Sequence, residues 1–280
     1  MHQRGWARIA PLVVVSLLVA TVAEAQGPPT GSVASLPKAE LGIKYRLSVM
    51  VSGGLDLDVF GEVVVPGVSC NPDVTEGPTS CRNQTRIVQA GRAAHYPDVY
   101  VAVPKRLHAS AGFGIFQKDE LIVQISRNRS VAEPSIPLGQ VVSGEGSRPL
   151  RATFTTYEDS SVEGGWRHYL RAVGRSKSYV HLTYGRRKVE AITADLFAGG
   201  NDGTLGTVRF YDAATLRTAA IVFGVTYERW HMGVFLEAGA RWTQRLVRQD
   251  ADLRPLGLEM INDTGPRIFM PANVGIMVRF

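Results

Sequence analysis

The segment 268–280 constrains the fold more than any other feature of this sequence. Every second residue in it is apolar: Ile268, Met270, Ala272, Val274, Ile276, Val278 and Phe280. The opposite parity includes Arg267, Asn273, Gly275 and Arg279. Because successive side chains of a β-strand point to opposite faces, this segment predicts a strand with one wholly apolar face.

The same alternation recurs upstream, in pairs of segments that short turns join. The turns lie at 117–120, 174–177 and 230–232. The flanking apolar residues include Leu107, Ala109, Ala111, Phe113 and Ile115; Leu121, Val123 and Ile125; Val162, Trp166 and Leu170; Val180, Leu182 and Tyr184; Ala219, Ile221, Phe223, Val225 and Tyr227; and Val234, Leu236, Ala238, Ala240 and Trp242. A first segment, 43–65, is either one long strand bent at Gly53-Gly54 or a periplasmic segment followed by a strand. Counting it once, we expect about eight strands.

The connections between these segments fall into two classes. Short turns alternate with long polar stretches at 66–104, 127–156, 187–216 and 245–266, and both termini lie at the short-turn end. This sorting is typical of transmembrane barrels and has no reason to occur in a soluble sandwich. We therefore predict an all-β fold, an antiparallel up-and-down transmembrane β-barrel whose long connections are extracellular loops.

Aromatic residues are expected to mark the two rims of such a barrel. Six lie near the short-turn rim: Phe116, Tyr169, Tyr179, Tyr227, Trp230 and Phe280. Three lie near the long-loop rim: Tyr157, Trp242 and Phe269.

The first 25 residues have the layout of a secretory signal peptide. Arg4 and Arg8 precede an apolar run, and Ala23-Glu24-Ala25 follows as a small-x-small cleavage site. We divide the chain into a signal peptide (1–25), a short periplasmic segment (26–42) and the barrel (43–280). No later segment approaches 18 uncharged apolar residues, so a helical membrane protein is excluded.

The two cysteines and the charge narrow the chemistry further. Cys70 and Cys81 lie in a stretch rich in Pro, Gly, Asn and Thr, and in an exported protein such a pair most simply forms a disulfide. We predict no metal site and no cofactor, because no histidines accompany the cysteines and no nucleotide-binding motif occurs. The net charge is +6, but the sequence contains no cluster of arginines and aromatic residues. Nucleic acid is therefore not expected as a partner.

At this point the chain resembles the small bacterial outer-membrane β-barrel proteins of the OmpW, OmpX and OmpA-barrel families. The resemblance covers about residues 43–280 and is carried by the topology, the alternation and the terminal Phe280. It implies location in the outer membrane of a Gram-negative-type bacterium, with outer-membrane lipid, lipopolysaccharide and the barrel assembly machinery as partners. In that resemblance Phe280 is the assembly signal. The sequence departs from the OmpA pattern in showing no peptidoglycan-binding domain after the barrel segment, so we expect no cell-wall tether of that kind.

If the apolar parity faces lipid, the other parity faces the lumen. The candidate lumen-lining residues are Glu62, His108, Gln124, Glu163, Arg167, His181, Glu237 and Arg241. Since side chains nearly fill an eight-stranded barrel, these charges either lock the walls together or line a conducting or binding lumen.

A basic group is expected where the strands enter the long loops. Its members are Arg186, Arg187, Lys188, Arg245 and Arg248. Guanidinium groups suit bidentate contact with phosphates, so these residues are candidates for lipopolysaccharide contact. The alternative is a solvated charged run.

Three functions remain open. The first is a non-enzymatic barrel, structural or passing small or hydrophobic solutes, for which we expect no catalytic residues. The second is a secreted soluble β-barrel that binds an apolar ligand. The third is a lipid A deacylase, because His108-Ala109-Ser110 is similar to the His-x-Ser dyad of the PagL enzymes; strand parity, however, turns His108 and Ser110 inward.

Overall fold

The computed structural model describes residues 42–60, 62–64, 86–89, 94–95, 106–143, 146–172, 174–199, 204–249, 251–252 and 265–280. These residues form sixteen β-strands: β1 (Leu47–Phe60), β2 (Glu62–Val64), β3 (Arg86–Gln89), β4 (Ala94–His95), β5 (Arg106–Gly114), β6 (Asp119–Ser130), β7 (Ile136–Ser143), β8 (Gly146–Phe154), β9 (Tyr157–Tyr169), β10 (Ser176–Val189), β11 (Ile192–Ala198), β12 (Thr204–Asp212), β13 (Ala214–Arg229), β14 (Met232–Thr243), β15 (Val247–Arg248) and β16 (Arg267–Arg279). Within these ranges no helix is long and apolar enough to cross a membrane.

Eight of the strands close into an antiparallel barrel in the order β1-β16-β14-β13-β10-β9-β6-β5, with β5 paired back to β1. The last strand pairs with the first over most of their length, from Ser48 opposite Arg279 to Asp58 opposite Phe269. The amide of Phe280 adds a hydrogen bond of 2.8 Å to the carbonyl of Leu47. The predicted all-β barrel of about eight strands is confirmed.

The strand register gives the barrel its tilt. Residues paired across successive strands lead from Ser48 once around the wall and back to β1 at Asp58, a stagger of ten residues along the strand. The intermediate positions are Gly112, Ile122, Gly165, Thr183, Ala220, Arg241 and Phe269. Over eight strands this stagger corresponds to a strand tilt of about 40°. A barrel of this size has room inside for side chains and little else.

The two ends of the barrel differ. At one, the turn end, the connections are short: 115–118, 170–175 and the two residues Trp230 and His231. Trp230 has a φ of 59°, in the left-handed region. At the other, the cap end, the chain continues into further strands. The three predicted hairpins are therefore present, with their short turns on one side.

The long connections are not irregular loops where the structure describes them. They contribute a second sheet, the cap sheet, in the order β15-β12-β11-β8-β7-β3. Its core combines cap residues with residues at the barrel's cap end, such as Tyr157, Val189 and Leu216. The cap residues of this core include Ile136, Leu138, Leu150, Ala152, Phe154, Ala194, Leu196, Val208 and Phe210.

The cap sheet continues the barrel wall directly. Asp159 pairs with Val189 at the end of the β9–β10 ladder, and Phe154 pairs with Ala194 in the β8–β11 ladder. Five positions separate the two pairs on both strands, so no residue is inserted between them. The amide of Thr155 bridges the gap with a hydrogen bond of 2.9 Å to the carbonyl of Thr193. The cap therefore extends one side of the wall without a flexible joint in this ladder.

Of the two alternatives for the first predicted segment, the structure shows one continuous strand, β1, that includes Gly53 and Gly54. Both glycines stay in register with β16 and β5, and the irregularity lies further on, between Asp58 and Phe60. Gly42 to Arg46 precede β1 at the turn end, where the amide of Ile43 bonds to the carbonyl of Gln117. The signal peptide and most of the proposed periplasmic segment lie outside the described residues.

Gly224 provides a test of how tightly the barrel interior is filled. A Cβ at this position would overlap the ring of Tyr179, whereas a Cβ at Gly164, on the outer face, would meet nothing within 4 Å. We expect Gly224→Ala to destabilise the barrel by about 1–3 kcal/mol through overpacking. Gly164→Ala should behave like the wild type.

The measurement is the temperature at which the compact, fast-migrating form is lost on a denaturing gel. Equal temperatures for Gly224→Ala and Gly164→Ala would mean that the ring of Tyr179 is free to move aside.

Candidate functional site

The structure places seven of the eight candidate lumen residues inside the barrel. His108, Gln124, Glu163, Arg167, His181, Glu237 and Arg241 are all buried there. The eighth, Glu62, lies in β2, whose backbone pairs with β4 in a separate two-stranded sheet. Glu62 is therefore not part of the barrel ladder, and its side chain lies outside the described part of the structure.

A network of charged side chains crosses the lumen at the turn end; we call it the turn-end network. Glu228 accepts from Lys177 and, at 2.8 and 3.0 Å, from Arg279. Arg279 also donates to the hydroxyl of Tyr169 at 2.6 Å. Tyr169 in turn donates to Glu120 at 3.3 Å.

The turn-end network continues from Glu120 to the adjacent strand β9 and to β1. Glu120 accepts from Arg167 at 2.7 Å and from the hydroxyl of Ser48. Both Glu120 and Arg167 are about 1% exposed. Because charges so far from water need partners, this network joins the six strands that supply its members.

Apolar side chains meet across the barrel next to this network. This apolar layer comprises Ile43, Met50, Tyr169, Ala172, Tyr179, Phe235 and Met277. The members come from five strands and from the segments beside the turn end, and each is buried. Side chains therefore fill the lumen near the turn end.

Hydrogen-bonded polar groups fill the middle of the barrel. Tyr179 donates to Glu237 at 2.8 Å, and the other carboxylate oxygen accepts from Asn273 at 3.3 Å. Glu163 accepts from Gln124 and Thr183, each at 2.7 Å, and forms an ion pair with Arg241 at 3.4 Å. Both carboxylates are therefore held by side chains from several other strands of the wall.

His108 belongs to this middle region and not to a catalytic pair with Ser110. Its Nδ1 lies 3.2 Å from the hydroxyl of Ser52, and its Nε2 lies 3.0 Å from the side-chain oxygen of Gln124. Both ring nitrogens are thus engaged with residues other than Ser110. The arrangement lacks the nucleophile–base contact that acyl transfer requires.

A second charged network fills the cap end of the lumen. Arg106 donates to Asp56 and, at 2.8 Å, to Ser126. Arg187 is ion-paired with Asp159 and lies 3.6 Å from the carboxylate of Asp56. The guanidinium of Arg187 also stacks on Phe269 at 4.9 Å.

The prediction that Arg187 contacts lipopolysaccharide is wrong. Arg187 is 1% exposed and points into the barrel. It lies between Arg186 and Lys188 in β10, and alternate strand positions face opposite sides of the wall. The run of three basic residues in the sequence is therefore split between two environments.

Charges inside the barrel nearly balance. The buried charged residues of the described barrel are seven basic and six acidic: Arg106, Arg167, Lys177, Arg187, Arg241, Arg267 and Arg279 against Asp56, Glu120, Asp159, Glu163, Glu228 and Glu237. A lumen that selected ions by charge would show an excess of one sign along its length. The pairing seen here is typical of charges that hold the wall together.

Four of the predicted rim aromatics lie inside the barrel. Tyr157, Tyr169, Tyr179 and Phe269 are buried, each on the inward parity of its strand. They serve instead as platforms for arginines: Arg279 stacks on Tyr169, and Arg167 stacks on Tyr179. The exposed aromatics at the turn end are Tyr45, Phe116, Tyr227, Trp230 and Phe280, and those towards the cap end are Tyr184 and Trp242.

The remaining basic candidates lie at the cap end of the outer wall. Arg186, Lys188 and Arg245 are exposed, and Arg248 is half-buried. Sequence reasoning missed Arg217, which is exposed on β13 directly opposite Arg186 on β10. The pairing of Arg217 with Arg186 could be found only from the register between β10 and β13, because the two residues are 31 positions apart in the chain.

A cavity of about 550 Å³ lies beside these residues, where β13 begins and β14 ends. Its walls are Thr215, Leu216, Gln244, Arg245, Leu246, Val247 and Arg248. Among the described residues, no group of three histidine, cysteine or acidic side chains could hold a metal ion. Cys70 and Cys81 lie outside the described residues, so their disulfide stays a prediction.

No protein-family model matches this chain, and no curated protein matches it. Solved structures do. Ail, the attachment invasion locus protein of Yersinia pestis, is 10% identical, with a TM-score of 0.38 over 85% of this chain and 99% of Ail. Neisserial surface protein A is also 10% identical, with a TM-score of 0.38 over 84% of this chain and 96% of its own. These likenesses are slight, and the fold is established by the register of this chain's own strands.

The pair of Glu120 and Arg167 tests how much the turn-end network contributes to stability. Removing one partner of a buried pair leaves an uncompensated charge, so we expect Arg167→Met to cost about 3–5 kcal/mol of unfolding free energy. The matched control is Arg129→Met, because Arg129 pairs with Glu158 at 3.2 Å on the outside and is 68% exposed. That change should cost less than about 1 kcal/mol.

Urea unfolding in lipid vesicles, followed by tryptophan fluorescence, measures both variants. The double variant Glu120→Gln, Arg167→Met should regain part of the loss. If Arg167→Met costs no more than the exposed control, the network does not hold the wall together.

Proposed function

We propose that this protein is an outer-membrane β-barrel with a closed lumen, which acts as a rigid pedestal for the cap sheet at the cell surface. The turn end then faces the periplasm and the cap end faces outside. The observation that carries the proposal is the division of the barrel wall: charged and polar side chains are buried inside, and apolar side chains cover the outside.

The outer wall has the character of a lipid-facing surface. Large apolar side chains are exposed on all eight strands, for example Val123 (57%), Phe223 (54%) and Leu236 (51%). On β13 the outward apolar positions run from Ala219 to Tyr227, which at a tilt of about 40° spans about 21 Å. That height is close to the roughly 25 Å apolar band of outer-membrane barrels.

Exposed aromatic residues border this band. Trp230 (83% exposed) and Phe280 lie at the turn end, and Trp242 lies towards the cap end. Interfacial aromatic rings of this kind favour the headgroup level of a bilayer. A soluble apolar-ligand binder would instead bury its apolar face, which makes that alternative the weaker one.

A structural role is favoured over passage of solutes. The apolar layer of Met50, Tyr179, Phe235 and Met277 closes the lumen, and the turn-end network lies beside it. An open pore would require both layers to separate. The cap sheet, by contrast, continues the wall in the same register from the β9–β10 ladder into the β8–β11 ladder.

Insertion can be tested through the C-terminal residue. The side chain of Phe280 is exposed, while its amide closes the barrel on Leu47. We expect Phe280→Ser to lower the amount of heat-modifiable protein in outer-membrane fractions, because the change keeps the backbone hydrogen bond and removes only the aromatic signal. Tyr227→Ser, another exposed aromatic at the same end, is the control for loss of a ring alone.

A wild-type protein that is soluble in the periplasm and shows no shift on heating would contradict the membrane assignment. An equal loss in both serine variants would mean that Phe280 acts only as one more interfacial ring.

The closed lumen is tested separately, by conductance in planar bilayers. We expect the wild-type protein to insert without a stable open level, since water and ions must pass the apolar layer. A steady, ohmic conductance that scales with salt concentration would favour passage of small solutes over the structural role.

A further inference from the structure

Two arginines face each other on the outer wall at the cap end. Arg186 on β10 and Arg217 on β13 are directly paired in the ladder, and both are exposed on the outward face. Like charges at directly opposite positions destabilise a sheet. No ion pair to Arg186 or Arg217 is present among the described residues, so the protein itself supplies this pair with no counter-charge there.

The cavity of about 550 Å³ adjoins this arginine pair. Arg217 and Gln244 are held together by two hydrogen bonds: the amide of Gln244 donates to the carbonyl of Arg217 at 2.9 Å, and the amide of Arg217 donates to the side-chain oxygen of Gln244 at 3.4 Å. Gln244 is also a wall of the cavity. The pair and the cavity therefore form one continuous surface.

One wall of the cavity is anchored on the cap sheet. Leu246 is buried in the core of that sheet, and Val247 and Arg248 pair with Asp212 and Tyr211 of β12 in the same sheet. Burial and backbone pairing therefore fix this wall, and the volume of the cavity is typical of sites for small ligands.

The chemistry of this surface selects an anion that also carries hydroxyl groups. Arg186, Arg217 and Arg245 offer exposed guanidinium groups, which bind phosphate in a bidentate manner. Gln244 and Thr215 add neutral hydrogen-bonding groups. The nearest acid of β12, Asp212, is engaged by Arg209 at 3.2 Å and so does not cancel the positive charge.

The apolar surface on the turn-end side of the arginine pair indicates which kind of molecule carries that anion. Ala219 and Trp242 pair in the ladder two residues nearer the turn end than Arg217, a distance of about 7 Å along the strand. From there Ile221, Phe223 and Leu236 continue the exposed apolar surface down β13 and β14. A molecule whose head occupied the cavity would have its tails on this wall.

We propose that the Arg186–Arg217 pair and the adjoining cavity bind the phosphorylated sugar head of an outer-leaflet glycolipid, with its acyl chains on the outer wall of β13 and β14. The phosphate neutralises the arginine pair, and the sugar occupies the cavity beside Gln244 and Arg245. This inference rests on the proposed outer-membrane location.

The test uses the full mature chain in phosphatidylcholine nanodiscs that contain a small fraction of diphosphorylated lipid A. Native mass spectrometry counts the glycolipid retained by the wild-type protein and by the variant Arg186→Gln, Arg217→Gln. Since each lost charge-assisted hydrogen bond weakens binding by about tenfold or more, we expect at least a tenfold loss of retained lipid A. The matched control is Arg127→Gln, Arg129→Gln, which removes two exposed arginines from β6, a strand that β9 separates from β10, and should bind like the wild type.

Two further arms separate the possible sources of the phosphate. Dephosphorylated lipid A should be retained no better than phosphatidylcholine, and free glucosamine 1-phosphate should compete weakly because it lacks the acyl chains. Full competition by the free sugar phosphate would overturn the lipid assignment. Equal losses in the β10/β13 variant and the β6 control would reduce the effect to nonspecific surface charge and would also overturn it.

A conservative variant guards against misfolding. Arg186→Lys, Arg217→Lys keeps both charges and should retain more lipid A than the glutamine variant. Heat-modifiable migration is measured for every variant beforehand. If the wild-type protein fails to insert, the proposed function fails; if it inserts and shows no preference for lipid A, only this inference fails.

Discussion

Closure of the barrel between its first and last strands is the constraint on which the rest of the structure depends. β16 returns to β1 with a stagger of ten residues, so no barrel strand is left with an unpaired edge along the wall. In lipid such an edge would cost several kcal/mol for each unsatisfied backbone group. Closure also fixes which residues point inward, because parity cannot slip on one strand without breaking its register with two neighbours.

Once parity is fixed, the interior has to satisfy many charges without water. The turn-end network does this by linking residues distant in sequence: Glu120, Tyr169 and Arg279 come from three different strands. Most of the charged groups are paired with one of opposite sign, Glu237 accepts from Tyr179 and Asn273, and glycines such as Gly112 leave space for the larger side chains. The same pairing that stabilises the barrel therefore fills its interior with side chains.

How much of this structure the sequence predicts depends on whether a sequence pattern involves neighbouring residues or distant segments. Alternation is local, so the barrel strands, the three short hairpins and the inward position of seven lumen candidates could be predicted from it. The inward turn of Arg187 follows from the same alternation, but a contiguous basic run was interpreted as one surface group. Tyr169 and Tyr179 show the reverse error, since a ring near a strand end was assigned to the rim without regard to parity.

The cap sheet could not be predicted from local alternation of apolar residues, for a different reason. Pro137 and Pro149 interrupt the alternation of β7 and β8, and β8 finds its partner in β11, more than 40 residues away. The pairing is set by the barrel: once β9 and β10 lie side by side, their extensions are already in register.

The direct continuation of wall into cap also accounts for the place of the paired arginines. Where β10 and β13 leave the apolar band, their register places Arg186 opposite Arg217, and neither strand can slide to separate the two charges without disturbing the barrel below. On the cap-end side of the arginine pair, Val189 and Leu216 are buried in the core of the cap sheet. This packing prevents β10 and β13 from shifting to move the two arginines apart. The repulsion is therefore held in place by stronger interactions on both sides, and a ligand of opposite charge can relieve it at this level of the wall.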